Sequence, residues 1–223
     1  MSARAGLVLA AALVLGTAGA AAQESATAIT AQEPATAAPA PEPTAWEYNA
    51  SVYGYFPPES THYAQPTVTA DHGALHLEGR YNYEGLKAGS AWVGWNVGTG
   101  DKLRLDATIM AGGVFGDTRG FAPGLELTLS YGKFQLYSES EYVIDTENSR
   151  GNFFYTWAQL GYSPLEWLSV GIASQRTRVY RTGLDIQGGV FVGFTYKSLS
   201  LNVYVFNPGW ETPTVVSSLA VSF

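Results

Sequence analysis

Three histidines are the first residues to test for chemistry: His62, His72 and His76. His62 follows Ser60 and Thr61, so a hydroxyl and an imidazole sit side by side in the stretch PPESTHYAQP. A serine activated by histidine is the minimal set for acyl transfer, but it needs hydrogen-bond contact and an orienting third group. No G-x-S-x-G elbow accompanies any of the three, and His72 lies in a DHG turn. The expectation is that none is catalytic. No His, Asp or Glu cluster has metal-ligand spacing, and the chain has no Cys. Neither a metal nor a cofactor is expected.

The second set is charged. Glu47, Glu78, Arg80, Glu84, Arg104, Asp106, Glu126, Glu139 and Glu141 all fall in segments where apolar and polar residues alternate. They take the polar register, as does His76. In 74–84, Leu75, Leu77, Gly79, Tyr81 and Tyr83 alternate with His76, Glu78, Arg80, Asn82 and Glu84. Alternation of period two marks a strand. Acids outnumber bases in this register, so a wet interior lined by it would favour cations or neutral solutes. The competing reading is that the charges pair across strands, because leaving them unpaired is costly.

The elements that carry these residues repeat through the chain. Alternating segments cover 46–56, 65–70, 74–84, 91–97, 103–114, 125–131, 134–144, 152–162, 167–180, 184–196, 199–206 and 215–223. Turn residues such as DHG, GTGD, YGKF and SPLE separate them. Hairpin links throughout predict an antiparallel meander of about twelve strands, with ten as the alternative, and no helix. Charged residues make up only 14% of the chain. A soluble sandwich would show Lys and Glu on its outer face and edges. The scarcity of Lys and the mixed polar face predict closure into a barrel with its apolar register facing lipid.

Aromatics gather near the predicted strand ends. One set is Trp46, Tyr48, Tyr131, Phe134, Tyr162, Trp167, Tyr196 and Phe223. The other is Tyr53, Tyr55, Phe56, Tyr83, Phe115, Phe121, Tyr142, Phe153 and Phe154. Both sets are expected to form interfacial belts. The links at 71–73, 98–101, 132, 163–166 and 197 are short. Those at 57–64, 85–88, 116–120, 145–151, 181–183 and 207–213 are longer on average, as on the outer side of a membrane barrel.

The ends of the chain complete the reading. Residues 1–22 have an early cation, Arg4, an apolar run and small residues closing on Ala20-Ala21-Ala22, the layout of a cleavable signal peptide. Residues 23–45 are Ala, Pro, Thr and Glu with no aromatic, a disordered periplasmic leader by composition. Residues 46–223 then form one domain. The net charge of −7 argues against a nucleic-acid partner.

The final strand VVSSLAVSF carries Val215, Leu219, Val221 and Phe223 in one register, with Ser217 departing from the apolar pattern. A terminal strand that ends on Phe resembles the assembly signal of bacterial outer-membrane β-barrels. The resemblance implies a transmembrane barrel in the outer membrane, with membrane lipids and the barrel-assembly machinery as partners. It implies no particular subfamily. The expected function is a narrow, porin-like channel for small solutes or cations. The alternatives are a non-conducting structural barrel with a charge-paired lumen and, behind it, a lipid-modifying enzyme.

Overall fold

The structure is a computed structural model and describes residues 45–58, 60–147, 151–176, 186–209 and 213–223. The signal-peptide and leader segments lie outside these residues, as do the predicted link at 181–183 and parts of those at 145–151 and 207–213.

Twelve strands close into one antiparallel barrel, each paired with its sequence neighbours and β1 paired with β12. They are β1 (Glu47–Phe56), β2 (Tyr63–His72), β3 (Leu75–Tyr81), β4 (Ala88–Thr99), β5 (Leu103–Gly116) and β6 (Gly120–Tyr131). Then follow β7 (Phe134–Asp145), β8 (Phe153–Leu165), β9 (Leu168–Arg176), β10 (Gln187–Tyr196), β11 (Leu199–Phe206) and β12 (Thr214–Ser222). Closure removes the free edges that an open sheet of this length would expose. At the seam, Tyr48 and Phe223 exchange two backbone hydrogen bonds of 2.9 Å, so both termini of the domain lie at one end, called here the terminal end. Strand links at this end are two or three residues long, and the two far-end links that lie wholly within the described residues, 117–119 and 82–87, have three and six.

Glycines and an occasional lysine shape the tight turns. Gly73 and Gly132 have φ of 59° and 58°, which glycine adopts without a Cβ clash. Lys197, at φ 56°, makes the β10–β11 turn without that freedom. Some bounds differ from the sequence reading. β6 begins at Gly120 rather than near residue 125, because Pro123 does not end it. Pro123 pairs with Ala111 of β5, and the ladder to β7 skips residues 122 and 123. The missing N–H is placed where no ladder bond is needed. Pro66 sits outward in β2 in the same way, which extends that strand to Tyr63–His72.

The apolar register faces out. Val93, Trp95, Ile109, Val190, Leu201 and Leu219 are all exposed. So much exposed apolar surface suits hydrocarbon rather than water. All eight aromatics of the terminal-end set are exposed on the outer wall. The far-end set divides. Phe56, Phe115, Phe121, Tyr142 and Phe154 point outward, whereas Tyr55 and Tyr83 are buried inside. Tyr53 and Phe153 pack against the interior clusters. The expected second belt is therefore corrected to a partial one. β1 points its odd positions inward, which takes Tyr53 and Tyr55 into the lumen. Tyr83 turns inward because Asn82, at φ 60°, breaks the alternation after β3.

Candidate functional site: the barrel interior

The interior changes character along the barrel axis. At the terminal end lies a vestibule of about 570 Å³, lined by Glu47, Asp71, His76, Asn96, Arg104, Asp106, Glu126, Thr128, Ser130 and Gln135 among others. Beyond it is a smaller cavity of about 60 Å³, lined by Thr67, Thr69, Glu78, Glu139, Trp157 and the tyrosines 53, 55, 83, 137 and 155 among others. His76 and Glu126 line both spaces and form the neck between them.

The neck opens beside a knot of charge. Inward positions on β3, β6 and β7 bring four carboxylates to one guanidinium. Arg80 donates from Nε and Nη2 to the two oxygens of Glu78 at 2.8 and 2.9 Å, a bidentate pair within one strand. Its Nη1 reaches Glu139 at 2.8 Å and Glu141 at 2.9 Å, and Nη2 lies 3.6 Å from Glu126. The guanidinium also lies over two rings, 4.5 Å from the centre of Tyr83 and 4.7 Å from that of Trp92. The planar fork of Arg allows this use of edge and face at once; an ammonium could not supply it. The Arg80 side chain is 1% exposed. Trp92 fits because the wall beside it is bare. A Cβ on Gly112 would stand 2.3 Å from the indole, and one on Gly124 would stand 2.9 Å from it.

His76 bridges the knot to the vestibule. Its Nδ1 is 2.8 Å from Asp71, its Nε2 is 3.4 Å from Glu78, and Asn96 donates to Asp71 at 2.6 Å. Among the described residues, no serine is hydrogen-bonded to it. His62 packs on Phe56 at 5.4 Å and His72 on Trp46 at 5.1 Å. Among the described residues, no group of three His, Asp or Glu side chains is arranged to hold a metal ion.

The far half of the lumen is packed with rings. Tyr55, Tyr155, Tyr204 and Phe206 are at most 2% exposed, and Trp157 meets Tyr204 and Phe206 edge-on at 5.1 and 5.4 Å. Tyr83 donates to Glu139 at 2.6 Å and accepts from Tyr155 at 2.8 Å. Ser90 donates to Glu84 at 2.5 Å, and Trp92 donates to Ser90 at 2.9 Å.

The sequence-predicted interior residues thus fall into two groups. Glu78, Arg80, Glu126, Glu139 and Glu141 are brought together, with His76 touching the group. Glu47, Arg104 and Asp106 stand apart at the mouth of the vestibule, where Arg104 and Asp106 pair with each other at 2.8 Å and remain largely solvated. Glu84 is fully buried beside Ser90. Val215, Leu219 and Phe223 point outward, and Val221 is half-buried in the same register. Sequence reasoning missed Asp71, Trp92 and Tyr83 as interior residues. The register that puts Ser90 inside also puts Trp92 there, so that signal was present. Asp71 lay hidden because DHG reads as a turn.

No protein-family model matches the sequence, and no curated protein matches it. Solved structures do. The KdgM porin aligns with a TM-score of 0.56 at 10% identity, covering 78% of this chain and 99% of that one. The KdgM porin in complex with disordered oligogalacturonate aligns with a TM-score of 0.56 at 9% identity over the same shares. The outer membrane protein Omp33 of Acinetobacter baumannii aligns at 0.47 and 11% identity, covering 80% of this chain and 98% of that one. At such identities the likeness is one of fold. The closed barrel shares its fold with the KdgM porin.

Proposed function

We propose that the chain is a narrow, porin-like barrel of the bacterial outer membrane that admits small cations and small neutral solutes. The terminal end faces the periplasm and the longer links face outward. The apolar outer wall and the complete terminal-end aromatic belt support the placement. The observation that carries the selectivity is the sign of the interior. Glu47, Asp71, Glu78, Glu84, Asp106, Glu126, Glu139 and Glu141 face Arg80, Arg104 and His76. Acids of this number in a confined space raise the local concentration of cations and repel anions. Oligogalacturonate, found with KdgM, is a polyanion; the acidic interior here supports the opposite preference.

The test is the purified protein in a planar bilayer under a salt gradient. A reversal potential on the cation side supports the reading, and an anion-side potential sinks it. A second reading is favoured by the Arg80 knot and the packed rings: a barrel that does not conduct, its lumen serving as a core. Absence of any conductance, with a folded barrel shown by heat-modifiable gel mobility, selects that reading.

For Phe223 and its register partners we propose the role of the assembly signal. The leader is proposed as a periplasmic spacer, and its removal is expected to change neither assembly nor conductance.

A further inference from the structure

The link between β3 and β4 does not stay at the rim of the barrel. Tyr81 ends β3 facing outward, but Tyr83 and Glu84 then dip into the lumen and are 9% and 0% exposed. Leu86 and Lys87 return to the surface. The two ends of the dip, Asn82 and Lys87, have φ of 60° and 58°. Both are non-glycine residues in the left-handed region, where L side chains are seldom found.

The base of this link is clamped separately from its tip. Asn82 donates its N–H to the Ala88 carbonyl at 2.8 Å, and its side-chain oxygen accepts from the Lys87 N–H at 2.8 Å. Its amide also donates to the Ala64 carbonyl at 2.9 Å on β2. The tip is held by other bonds: Tyr83 to Glu139 and Tyr155, and Glu84 to Ser90. The Tyr83 ring also packs on Tyr155 at 4.9 Å and lies under the Arg80 guanidinium at 4.5 Å, and Ala88 donates to the Gly85 carbonyl at 3.2 Å. One oxygen of the fully buried Glu84 carboxylate has no hydrogen-bond partner among the described residues, which is costly for a buried group. The inward state is therefore opposed by the desolvation of its own Glu84. Outward rotation of the tip would return that carboxylate to water while the Asn82 clamp stayed in place.

We propose that residues 82–87 are a latch that seals the inner cavity toward the far end, and that rotation about Asn82 and Lys87 opens it. The position fits, since Tyr83 itself lines that cavity. The proposal rests on the porin-like reading for its effect on transport, though not for the motion.

Two experiments separate the two claims. The chain has no cysteine, so introduced thiols are unique. A Cβ on Gly85 would lie 3.9 Å from the Cβ of Thr118 on the neighbouring link, close to the ~3.8 Å of a disulfide. Gly85→Cys with Thr118→Cys, oxidised, ties the latch inward. The expected result is conductance at least tenfold below that of the reduced form, restored by reductant. Measurable conductance that is equal in the two redox states overturns the proposal. Independently, Ser90→Cys places one thiol beneath Glu84. A small membrane-impermeant thiol reagent added from the far side is expected to label it slowly, and at least tenfold faster when Tyr83→Phe removes both tip bonds of that ring. Labelling that is absent, or unchanged by Tyr83→Phe, overturns the latch even if the barrel conducts. Labelling as expected without conductance in either redox state upholds the latch and refutes the channel.

Discussion

Replacing Arg80 by Met should be among the most damaging single changes in the barrel. The substitution keeps length and apolar volume but removes the one cation that Glu78, Glu139 and Glu141 contact at 2.8–2.9 Å and Glu126 approaches at 3.6 Å. At least three of those carboxylates are buried, so water cannot replace the guanidinium. Breaking a buried ion pair from one side costs about 3–5 kcal/mol, because the remaining charge is left uncompensated. Loss of the two ring contacts adds roughly 1 kcal/mol or more. The folding equilibrium should fall by about three to four powers of ten. The assay is urea unfolding of the purified barrel in detergent, followed by gel mobility and tryptophan fluorescence. If the reasoning is right, Glu139→Gln with Glu141→Gln recovers a large part of the loss in the Arg80→Met background. Alone, the same pair should be destabilising, since Arg80 then loses two partners. A loss below about 1 kcal/mol for Arg80→Met, the range of solvated ion pairs, would refute the account. So would the absence of rescue.

Three further outcomes follow from named contacts. Glu126→Gln removes charge from the neck but only the most distant of the Arg80 partners; reversal-potential measurements should show reduced cation preference with stability changed by about 1 kcal/mol or less. Gly112→Ala would drive a methyl into Trp92, so it should destabilise by about 1–3 kcal/mol in urea unfolding, and Trp92→Phe in the same chain should recover part of it. Phe223→Ala leaves the backbone bonds to Tyr48 intact and removes a ring that is 73% exposed. Purified barrel should then unfold within about 0.5 kcal/mol of the parent, while the folded fraction recovered from cells falls severalfold. Equal recovery would separate Phe223 from assembly.

The barrel was legible in the sequence because its outward apolar register is written in every second residue. β12 shows the limit of that signal as well as its strength. Val215 and Leu219 point outward and Val216, Ser218 and Ala220 point inward, as the alternation requires. The same rule places Glu47 toward the interior and, six and eight residues on, Tyr53 and Tyr55 with it. Reading those two rings as a belt set strand-end position against register, and register prevailed. Tyr83 was not legible at all. One residue with positive φ, Asn82, reverses the side that its neighbours face, and nothing in period two signals such a flip. The charge knot lay between these cases. The register names its members, but Arg80 and Glu141 are 61 residues apart, and only barrel closure decides that they meet.

The packed far half bears on why acids outnumber bases inside. Four carboxylates around one arginine would be hard to keep in a lumen that is dry throughout. Here the excess sits where the interior is wettest. Glu126 lines both the vestibule and the neck, and its side chain is 19% exposed against 0% for Glu141. Glu47, Asp71 and Asp106 line the vestibule itself. The bidentate partner and the deeper glutamates take the guanidinium, and the carboxylates nearer the terminal end meet solvent. A gradient of this kind divides the two tasks. Arg80 joins β3 to β6 and β7 and stabilises the wall, while the acids it does not neutralise give the vestibule its sign. The far half is filled mainly by rings, with Glu84 bonded to Ser90 among them. A solute moving from the vestibule would then meet charge first and rings second, with Tyr83, which contacts both Arg80 and Tyr155, at the boundary between them.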